Sequence, residues 1–188
     1  MPPDPPADAA DLAAARVRYA AVLRTACTVA LEDLAPCLAV PRTLTRITAR
    51  ALGAWRATWV PVAPPHAGAG GWDWVRIVAA QPRRPDNFDL ALWSGDVLCG
   101  LVVGRLSRGR TRLLLDVVEG APCVPHPLQG RVLDVALLVA EYYARGLGAR
   151  WLRLMHPLPG MQGRYIARYG FGPAVVVGRQ TYQDRELT

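Results

Sequence analysis

The amino-acid sequence predicts a mixed α/β fold, on three observations. Three apolar segments lie between residues 87 and 120, and the two junctions between them, Ser94-Gly95-Asp96 and Ser107-Arg108-Gly109-Arg110, are typical of tight turns. A long apolar helix pattern over 130–147 then separates TRLLLDVV from ARWLRLMH, which predicts a crossover joining two parallel strands. A short helix in PGMQGRYIARYG and a last strand in FGPAVVVGRQTYQ complete the order β-β-β-α-β-α-β. A mostly antiparallel sheet flanked by helices is therefore expected.

The first part of the chain is predicted to be helical. Residues 1–10 are rich in Pro and Asp, which indicates a disordered tail. Apolar residues recur at helical spacing over 11–35, and a second helix is expected from Arg42 to about Ala54. The basic residues of that second helix would then form one solvent-exposed row: Arg42, Arg46 and Arg50.

Two segments rich in Trp and Val follow, ATWVPV and WDWVRIVAA, and both are predicted strands. The expected organisation is a tail at 1–10, N-terminal helices and first strands at 11–86, and a core at 87–188, all within one compact domain.

The composition gives the chain a formal net charge of +7, and all 22 basic residues are arginine. An arginine-only set beside so much Ala, Pro and Gly is explained by GC-rich coding, and the charge is spread along the chain. Nucleic acid is therefore disfavoured as a partner, whereas phosphate-bearing small ligands suit the same arginines.

No apolar run is long enough to span a bilayer, and the acidic N-terminal stretch does not resemble a signal peptide. We therefore expect a cytoplasmic protein with no membrane partner. The cysteines are scattered without a CxxC pair, which predicts reduced thiols and no metal site: Cys27, Cys37, Cys99 and Cys123.

From residue 87 to about 178, the order of elements and several segments resemble the GNAT family of acyl-CoA-dependent N-acyltransferases. The likeness is carried by AEYYARGLGARWLRLMH, by RYIARYGFG with its Gly170-Phe171 turn, and by LCGLVVGRL with Gly100 and Gly104. The resemblance implies that the strands TRLLLDVV and RWLRLMH splay apart in the middle of the sheet. It also implies acetyl-CoA or another acyl-CoA as cofactor, with the pantetheine arm in the wedge between these strands.

The resemblance further implies that the CoA pyrophosphate lies on backbone N–H groups at the start of the helix 130–147. A helix N-terminus favours an anion, and Gly130 would let the backbone approach phosphate closely while Pro125 and Pro127 stiffen the loop. Arg131 supports this interpretation, because a cation in the first turn opposes the helix dipole unless an anion is bound there. The predicted cofactor-binding residues are Val117, Val118, Gln129, Gly130, Arg131 and Val132.

N-acylation requires the amine to lose a proton and the leaving thiolate to receive one. Glu119, at the end of the first splayed strand, is the first candidate base, with an exposed strand-end carboxylate as the alternative. Asp116 is expected to face the other side of that strand and is the weaker choice. His156 ends the second splayed strand and is a candidate for proton transfer, with a structural turn role as the alternative. Tyr165 is a candidate acid if its helix is rotated by one position relative to the family, whose tyrosine position falls at Ile166. Its alternative is a packing role.

Four tryptophans crowd the junction between the N-terminal part and the sheet: Trp55, Trp59, Trp72 and Trp74. They are interpreted either as core or as an aromatic-lined pocket for the acceptor or acyl group. His66 lies in a Gly- and Pro-rich loop with no partner in view, so no role is assigned to it.

The leading functional hypothesis is an acyl-CoA-dependent N-acyltransferase, in which an amine acceptor attacks the acyl group directly. The acceptor would be a small molecule or a peptide amine, with aminoacyl-tRNA left open, and a homodimer is also left open. Departures from the family pattern at Pro127, Val132 and Ile166 favour the alternative, a GNAT-like binding or regulatory module without catalysis. A nucleic-acid binder using the Arg42, Arg46 and Arg50 row ranks last.

Overall fold

The computed structural model describes residues 9–36, 43–62, 70–81 and 84–187. The helices within these ranges are α1 Ala9–Leu34, α2 Ala49–Thr58, α3 Trp74–Ala80, α4 Val132–Gly146 and α5 Gln162–Tyr169. The strands are β1 Thr43–Thr45, β2 Asn87–Ser94, β3 Val97–Leu106, β4 Arg112–Gly120, β5 Trp151–Met155, β6 Val175–Val177 and β7 Gln180–Glu186. Residues 1–8 of the predicted tail, together with Cys37, Arg42 and His66, lie outside the described ranges.

The strands form one mixed sheet in the order β1-β2-β3-β4-β5-β7-β6. The predicted meander is present, because β2, β3 and β4 pair antiparallel in sequence order. The predicted crossover is present as well, because α4 joins β4 to β5 and these two strands pair in parallel. The mixed α/β fold class is therefore confirmed.

Helices cover both faces of this sheet. On one face, α1 and α4 pack on a core that includes Phe88, Leu90 and Leu113. On the other face, α2 and α3 cover a smaller cluster in which Trp59 and Trp74 are fully buried. None of the helices in the described ranges is long and apolar enough to cross a membrane.

A β-bulge interrupts the pairing of β3 with β4. Val103 is paired with Val117 but the next residue, Gly104, is paired with Leu115, so Asp116 is the extra residue of β4. An extra residue breaks the strict alternation of side chains between the two faces of a strand. Asp116 consequently lies beside the α2/α3 face together with Val117.

The second helix was predicted to begin too early. Thr43–Thr45 is an edge strand paired with β2, and α2 begins only at Ala49. Arg46 lies between the two elements, where Asp89 accepts hydrogen bonds from its guanidinium and from the backbone N–H of Ile47. Arg46 therefore precedes α2 and is paired with Asp89, so the predicted row of exposed arginines along one helix is wrong.

The predicted strands in ATWVPV and WDWVRIVAA are also wrong. The first segment is the end of α2 and a following turn, and the second contains the helix α3. The Asp73 carboxylate caps α3 by accepting from the backbone N–H of Arg76 at 3.0 Å, and Trp74 is buried against the sheet. A side-chain cap and burial on one face thus outweigh the β propensity of Trp, Val and Ile.

The last predicted strand is a hairpin. Val175–Val177 and Gln180–Glu186 pair antiparallel around a turn at Gly178, whose φ is +60°. The C-terminal end of α4 lies where the sequence predicted it, because Gly148 has φ +73° just after the helix.

Candidate active site

The two parallel strands diverge at the middle of the sheet. Their pairing runs from Arg112 opposite Trp151 to Leu115 opposite Leu154, whereas β4 continues to Gly120 without β5 beside it. A cavity of about 90 Å³ lies in this wedge. Its polar and aromatic lining comes from β4, from the end of β5, from α5 and from the segment before α3: Asp116, His156, Tyr165 and Trp72.

After Leu115, β4 is no longer paired with β5, so its backbone groups on that side face the wedge. The N–H of Ala121 donates to the carbonyl of Cys99 at 2.9 Å, which fixes the direction of the ladder between β3 and β4. Because backbone groups alternate in direction along a strand, those of Val118 and Gly120 point away from β3. An extended ligand chain lying in the wedge can hydrogen-bond to them.

A larger cleft of about 380 Å³ adjoins the wedge at the start of α4. Val118, Leu133 and Tyr165 line both spaces. The residues that line only the cleft include Gly120, His126, Gln129, Gly130, Val132, Arg164 and Tyr169. Four of the six predicted cofactor residues therefore border this cleft, namely Val118, Gln129, Gly130 and Val132, while Val117 borders the wedge alone.

The first turn of α4 offers backbone donors to the cleft. Gly130 has φ +72°, and no described atom lies within 4 Å of the Cβ that a side chain would add there. The N-cap residue Arg131 makes no side-chain capping hydrogen bond, and the first hydrogen bond of the helix runs from the N–H of Val135 to the carbonyl of Arg131. The N–H groups of residues 132–134 are thus not used by the helix itself, which is the usual arrangement at an anion-binding N-terminus.

Arg131 has a partner within the chain. Its guanidinium lies 3.3 Å from the carboxylate of Asp134, which also accepts from Arg168 at 2.7 Å and from the Tyr169 hydroxyl at 2.5 Å. Asp134 places a negative charge in the first turn, where the helix dipole favours it. Asp134 balances the charge of Arg131 within the chain, so the presence of Arg131 does not by itself indicate a bound anion.

Val132 occupies the position where the family pattern has a small residue. The structure turns its side chain onto the sheet, where a Cβ added to Gly100 would come within 2.6 Å of the Val132 Cγ1. Gly120 also faces Val132, at 3.5 Å from its Cγ2 by the same measure. Glycines of β3 and β4 thus make room for the valine, which is 7% exposed.

Glu119 is separated from the other candidate catalytic residues. Its buried carboxylate accepts a hydrogen bond from the backbone N–H of Gly71 at 2.6 Å and another from the Trp74 indole N–H. It lines a different cavity, together with Trp55 and Trp59, on the α2/α3 side of the sheet. The structure brings His156 and Tyr165 into the wedge but not Glu119.

The sequence predicted that Asp116 faces the side of β4 opposite to Glu119, and the structure places it on the α2/α3 side instead. The bulge keeps it beside the α2/α3 face, so it lines the wedge next to Trp72, and Trp72 in turn borders the Glu119 cavity. The Arg105 guanidinium lies 3.2 Å from its carboxylate. Burial raises the pKa of Asp116, while the nearby charges of Arg105 and His156 lower it in part.

His156 ends β5 in a conformation that side chains other than glycine rarely adopt. Its φ is +47°, and its backbone N–H donates to the carbonyl of Thr181 at 2.7 Å. Non-glycine residues in this region carry strain that the surrounding structure must hold in place. The turn directs the chain so that His156 lines the wedge with Asp116.

Tyr165, rather than Ile166, faces the site. Tyr165 is 8% exposed and borders both the wedge and the cleft, whereas Ile166 is 45% exposed and borders neither. Burial raises the pKa of the Tyr165 hydroxyl, with a smaller opposite effect from Arg164. The hydroxyl consequently stays protonated at neutral pH and can donate a proton.

The two basic residues of the cleft, His126 and Arg164, were not predicted from the sequence. The Nδ1 of His126 is buried without a hydrogen-bond partner among the described residues, and burial lowers the pKa of this imidazole. A histidine inside the proline-rich loop was a visible signal for the first. Arg164 reaches the cleft only because α5 packs beside α4, so no local pattern indicated it. In the described part of the chain, no group of His, Cys, Asp and Glu side chains could hold a metal ion.

Asp116 is expected to make stability depend on pH in a defined direction. Its pKa is higher in the folded chain than its ordinary value of 3.8, so its contribution to the free energy of unfolding falls as pH rises between the unfolded and folded pKa values. The variant Asp116→Asn cannot ionise, so its stability relative to wild type should increase as the pH rises above 3.8, the ordinary pKa of aspartate. Urea denaturation at a series of pH values measures this difference. A gain that shrinks with rising pH would mean that the Arg105 ion pair outweighs burial.

No protein-family model and no curated protein matches the chain. Solved structures do match it. An acetyltransferase from Thermus thermophilus aligns with a TM-score of 0.57 and 18% identity, over 79% of this chain and 98% of that one. The GNAT domain of the S. lividans protein PAT aligns with a TM-score of 0.54 and 13% identity, over 77% of this chain and 89% of that one.

A paiA N-acetyltransferase from Thermoplasma acidophilum in complex with coenzyme A aligns with a TM-score of 0.50 and 16% identity, over 77% of this chain and 98% of that one. These likenesses define the class of fold. The chain has the fold of the GNAT N-acetyltransferases, as the resemblance in its sequence implied.

Proposed function

We propose that this chain is an acyl-CoA-dependent N-acyltransferase that transfers an acyl group, in the first instance acetyl, to an amine acceptor. The observation that carries the proposal is the divergence of β4 and β5 after Leu115 and Leu154, which opens a wedge next to the uncapped start of α4. The neighbours that share this fold are acetyltransferases, and one of them is described as a complex with coenzyme A.

The residues present fit an acyl-CoA. The backbone groups of Val118 and Gly120 face the wedge, where an extended amide-containing arm can pair with them. The N–H groups after Gly130 suit a pyrophosphate, and Arg164 adds a positive charge to the same cleft. The buried Nδ1 of His126 lacks a protein partner among the described residues, so it is available to a polar group of the ligand.

The side chains of the wedge suit the two proton transfers of N-acylation. Acyl-CoA supplies an acyl group activated as a thioester. His156 and Asp116 line the wedge together, and we assign to this pair the removal of the proton from the acceptor amine. Tyr165 borders both spaces with a protonated hydroxyl, and we assign to it the donation of a proton to the leaving sulfur.

The experiment that tests the proposal is a calorimetric titration with CoA and with acetyl-CoA of wild type, Gly130→Asp and Gly130→Asn. Asp and Asn have nearly the same shape and both tolerate positive φ, so the two variants share any backbone strain and differ in charge. An added carboxylate at the helix start should repel the pyrophosphate. We expect wild type to bind, and Gly130→Asp to bind at least about tenfold more weakly than Gly130→Asn.

The thermal midpoints of the two variants serve as the control, because an acidic side chain at a helix N-terminus does not destabilise the helix. Equal affinities of the two variants for CoA would mean that the pyrophosphate does not bind at this helix start. An absence of any CoA binding by wild type would overturn the proposal.

That last outcome would favour the second candidate function, a GNAT-like binding module without catalysis. The observations behind it are Val132 and Ile166 at two positions where the family pattern has other residues. The space that Gly100 gives to Val132 and the place of Tyr165 at the wedge reduce the weight of both departures.

A further inference from the structure

Five arginines from three separate segments of the chain lie at the end of the sheet where β4 and β5 begin. We call them the arginine patch: Arg18 on α1, Arg108 and Arg110 in the turn between β3 and β4, Arg112 at the start of β4, and Arg150 just before β5. Arg112 is half-buried, and the other four are exposed. Because Arg18 and Arg150 lie near opposite ends of the chain, the sequence did not show this concentration of charge.

Two sets of contacts hold these segments together. The backbone carbonyl of Thr111 accepts from the N–H groups of Arg150 and of the next residue, at 2.9 and 3.1 Å, which joins the turn to the start of β5. The guanidinium carbons of Arg18 and Arg110 lie 5.1 and 5.5 Å from the ring centroid of Tyr19, which joins the turn to α1. The patch is therefore one continuous surface built by the tertiary fold.

Most of the positive charge of the patch is not balanced within the described part of the chain. No carboxylate there lies within ion-pair distance of four of its guanidinium groups, those of Arg18, Arg108, Arg110 and Arg112. Arg150 has the carboxylate of Glu186 at 3.6 Å. The buried Nε of Arg112 has no hydrogen-bond partner among the described residues. Like charges held close together repel each other, so this surface attracts anions.

Arg110 occupies a backbone position that does not favour arginine. Its φ is +56°, and its N–H donates to the carbonyl of Ser107 at 2.9 Å to close the turn. Glycine and asparagine are the usual residues at such a position, and another side chain costs about 1 kcal/mol there. A charged residue that is strained in the folded chain is more readily explained by binding than by folding.

The chemistry of the patch fits a nucleic acid strand. Guanidinium groups bind phosphates, and their planar faces stack on bases in the same way as aromatic rings do. The half-buried ring of Trp151 lies beside the patch, with the guanidinium carbon of Arg112 at 5.9 Å from its centroid. Stacking requires unpaired bases, so a single strand suits this surface better than a duplex or a lipid headgroup, which offers phosphate alone.

We propose that the arginine patch binds single-stranded nucleic acid, with its guanidinium groups on the phosphates and a base against Trp151. The sequence disfavoured nucleic acid because the arginines are spread along the chain, and the fold removes that objection by gathering five of them. The wedge opens after Leu115 and Leu154, at the opposite end of β5 from the patch. The proposal therefore does not rest on the acyltransferase, and its test needs no acyl-CoA.

The test measures binding of a fluorescein-labelled single-stranded DNA of about twelve nucleotides by fluorescence anisotropy, between about 50 and 200 mM salt. The patch variant combines Arg18→Gln, Arg108→Gln and Arg110→Asn. The control variant removes the same charge from three exposed arginines outside the patch: Arg56→Gln on α2, Arg76→Gln on α3 and Arg179→Asn in the turn between β6 and β7. The two variants thus differ only in where the charge is lost.

The patch variant should bind at least about tenfold more weakly than wild type, and the slope of log affinity against log salt should become about 2 less steep, from three lost phosphate contacts. The control variant should stay within about threefold of wild type. Asparagine tolerates the positive φ of residue 110, so the patch variant should be as stable as wild type in urea. Equal weakening in both variants, or no binding by wild type at the lowest salt, would overturn the proposal.

An abasic strand of the same length tests the contribution of the bases, because it keeps the backbone charge and removes every base. If a base stacks on Trp151, the intact strand should bind at least about fivefold more tightly than the abasic strand. Equal affinities of wild type for the two strands would mean that the patch recognises phosphate alone, and would overturn its assignment to nucleic acid.

Discussion

Replacing Tyr165 with phenylalanine is expected to lower kcat for amine acetylation about 100-fold while leaving the affinity for CoA nearly unchanged. Tyr165 borders both the wedge and the cleft of α4, and burial raises the pKa of its hydroxyl. A protonated hydroxyl at this junction can deliver a proton to the leaving sulfur, and phenylalanine keeps the ring packing while removing only the hydroxyl group. Steady-state kinetics and calorimetry with CoA measure the two quantities separately.

The matched control for this prediction is Tyr142→Phe. This variant loses the same hydroxyl group, but in wild type the Tyr142 hydroxyl donates to Asp33 on α1, away from the wedge. This variant should keep its kcat within about twofold, and its stability should fall by at most about 1 kcal/mol. A kcat for Tyr165→Phe as high as that of the control would remove Tyr165 from the chemistry. A weakened CoA affinity with unchanged kcat would make it a binding residue.

The sheet from residue 87 onward could be predicted because its signals are local. Gly95 and Gly109 mark the two hairpin turns, and apolar segments of strand length lie on either side of them. The prediction of strands within residues 57–80 failed for the opposite reason. The residues of α3 have high β propensity, and the helix depends on the Asp73 cap and on burial of Trp74. The Trp74 indole N–H donates to Glu119 on β4, which is a contact between distant parts of the chain.

The residues of the candidate site likewise fall into those that the sequence indicated and those that only the structure shows. The resemblance indicated the end of β5, because His156 closes the quoted segment AEYYARGLGARWLRLMH, and it indicated the start of α4, because Gly130 precedes a long apolar helix pattern. The face on which Asp116 lies could not be predicted, because a bulge depends on how β3 pairs with β4 and leaves no signal in β4 itself. The environment of Glu119 was equally hidden, since its donors at Gly71 and Trp74 lie more than 40 residues earlier in the chain.

The bulge that places Asp116 depends on a glycine of the neighbouring strand, and this gives the largest expected effect on stability. A Cβ at Gly104 would collide with the backbone carbonyl oxygen of Leu114 and would come within 3.2 Å of the Leu115 Cδ2. The backbone cannot move away without breaking the β3–β4 ladder beside the bulge. We expect Gly104→Ala to lower the free energy of unfolding by about 3 kcal/mol, as measured by urea denaturation.

Gly100, four residues earlier on β3, provides the matched comparison. A Cβ there would meet the side chain of Val132 rather than backbone, at 2.6 Å from its Cγ1. Gly100→Ala should therefore also destabilise the chain, but the double variant with Val132→Ala should recover much of the loss, because the added methyl then occupies the space the valine gave up. Val132→Ala should not rescue Gly104→Ala.

Rescue of both glycine variants by Val132→Ala would contradict the structure, since it would mean that β3 tolerates a side chain at either position once α4 has room. Rescue of Gly100→Ala alone would show that the start of α4 and the bulge are supported separately. In that case the cleft of α4 and the position of Asp116 can be altered one at a time, and the CoA affinity and the kcat of the two glycine variants would report on different halves of the site.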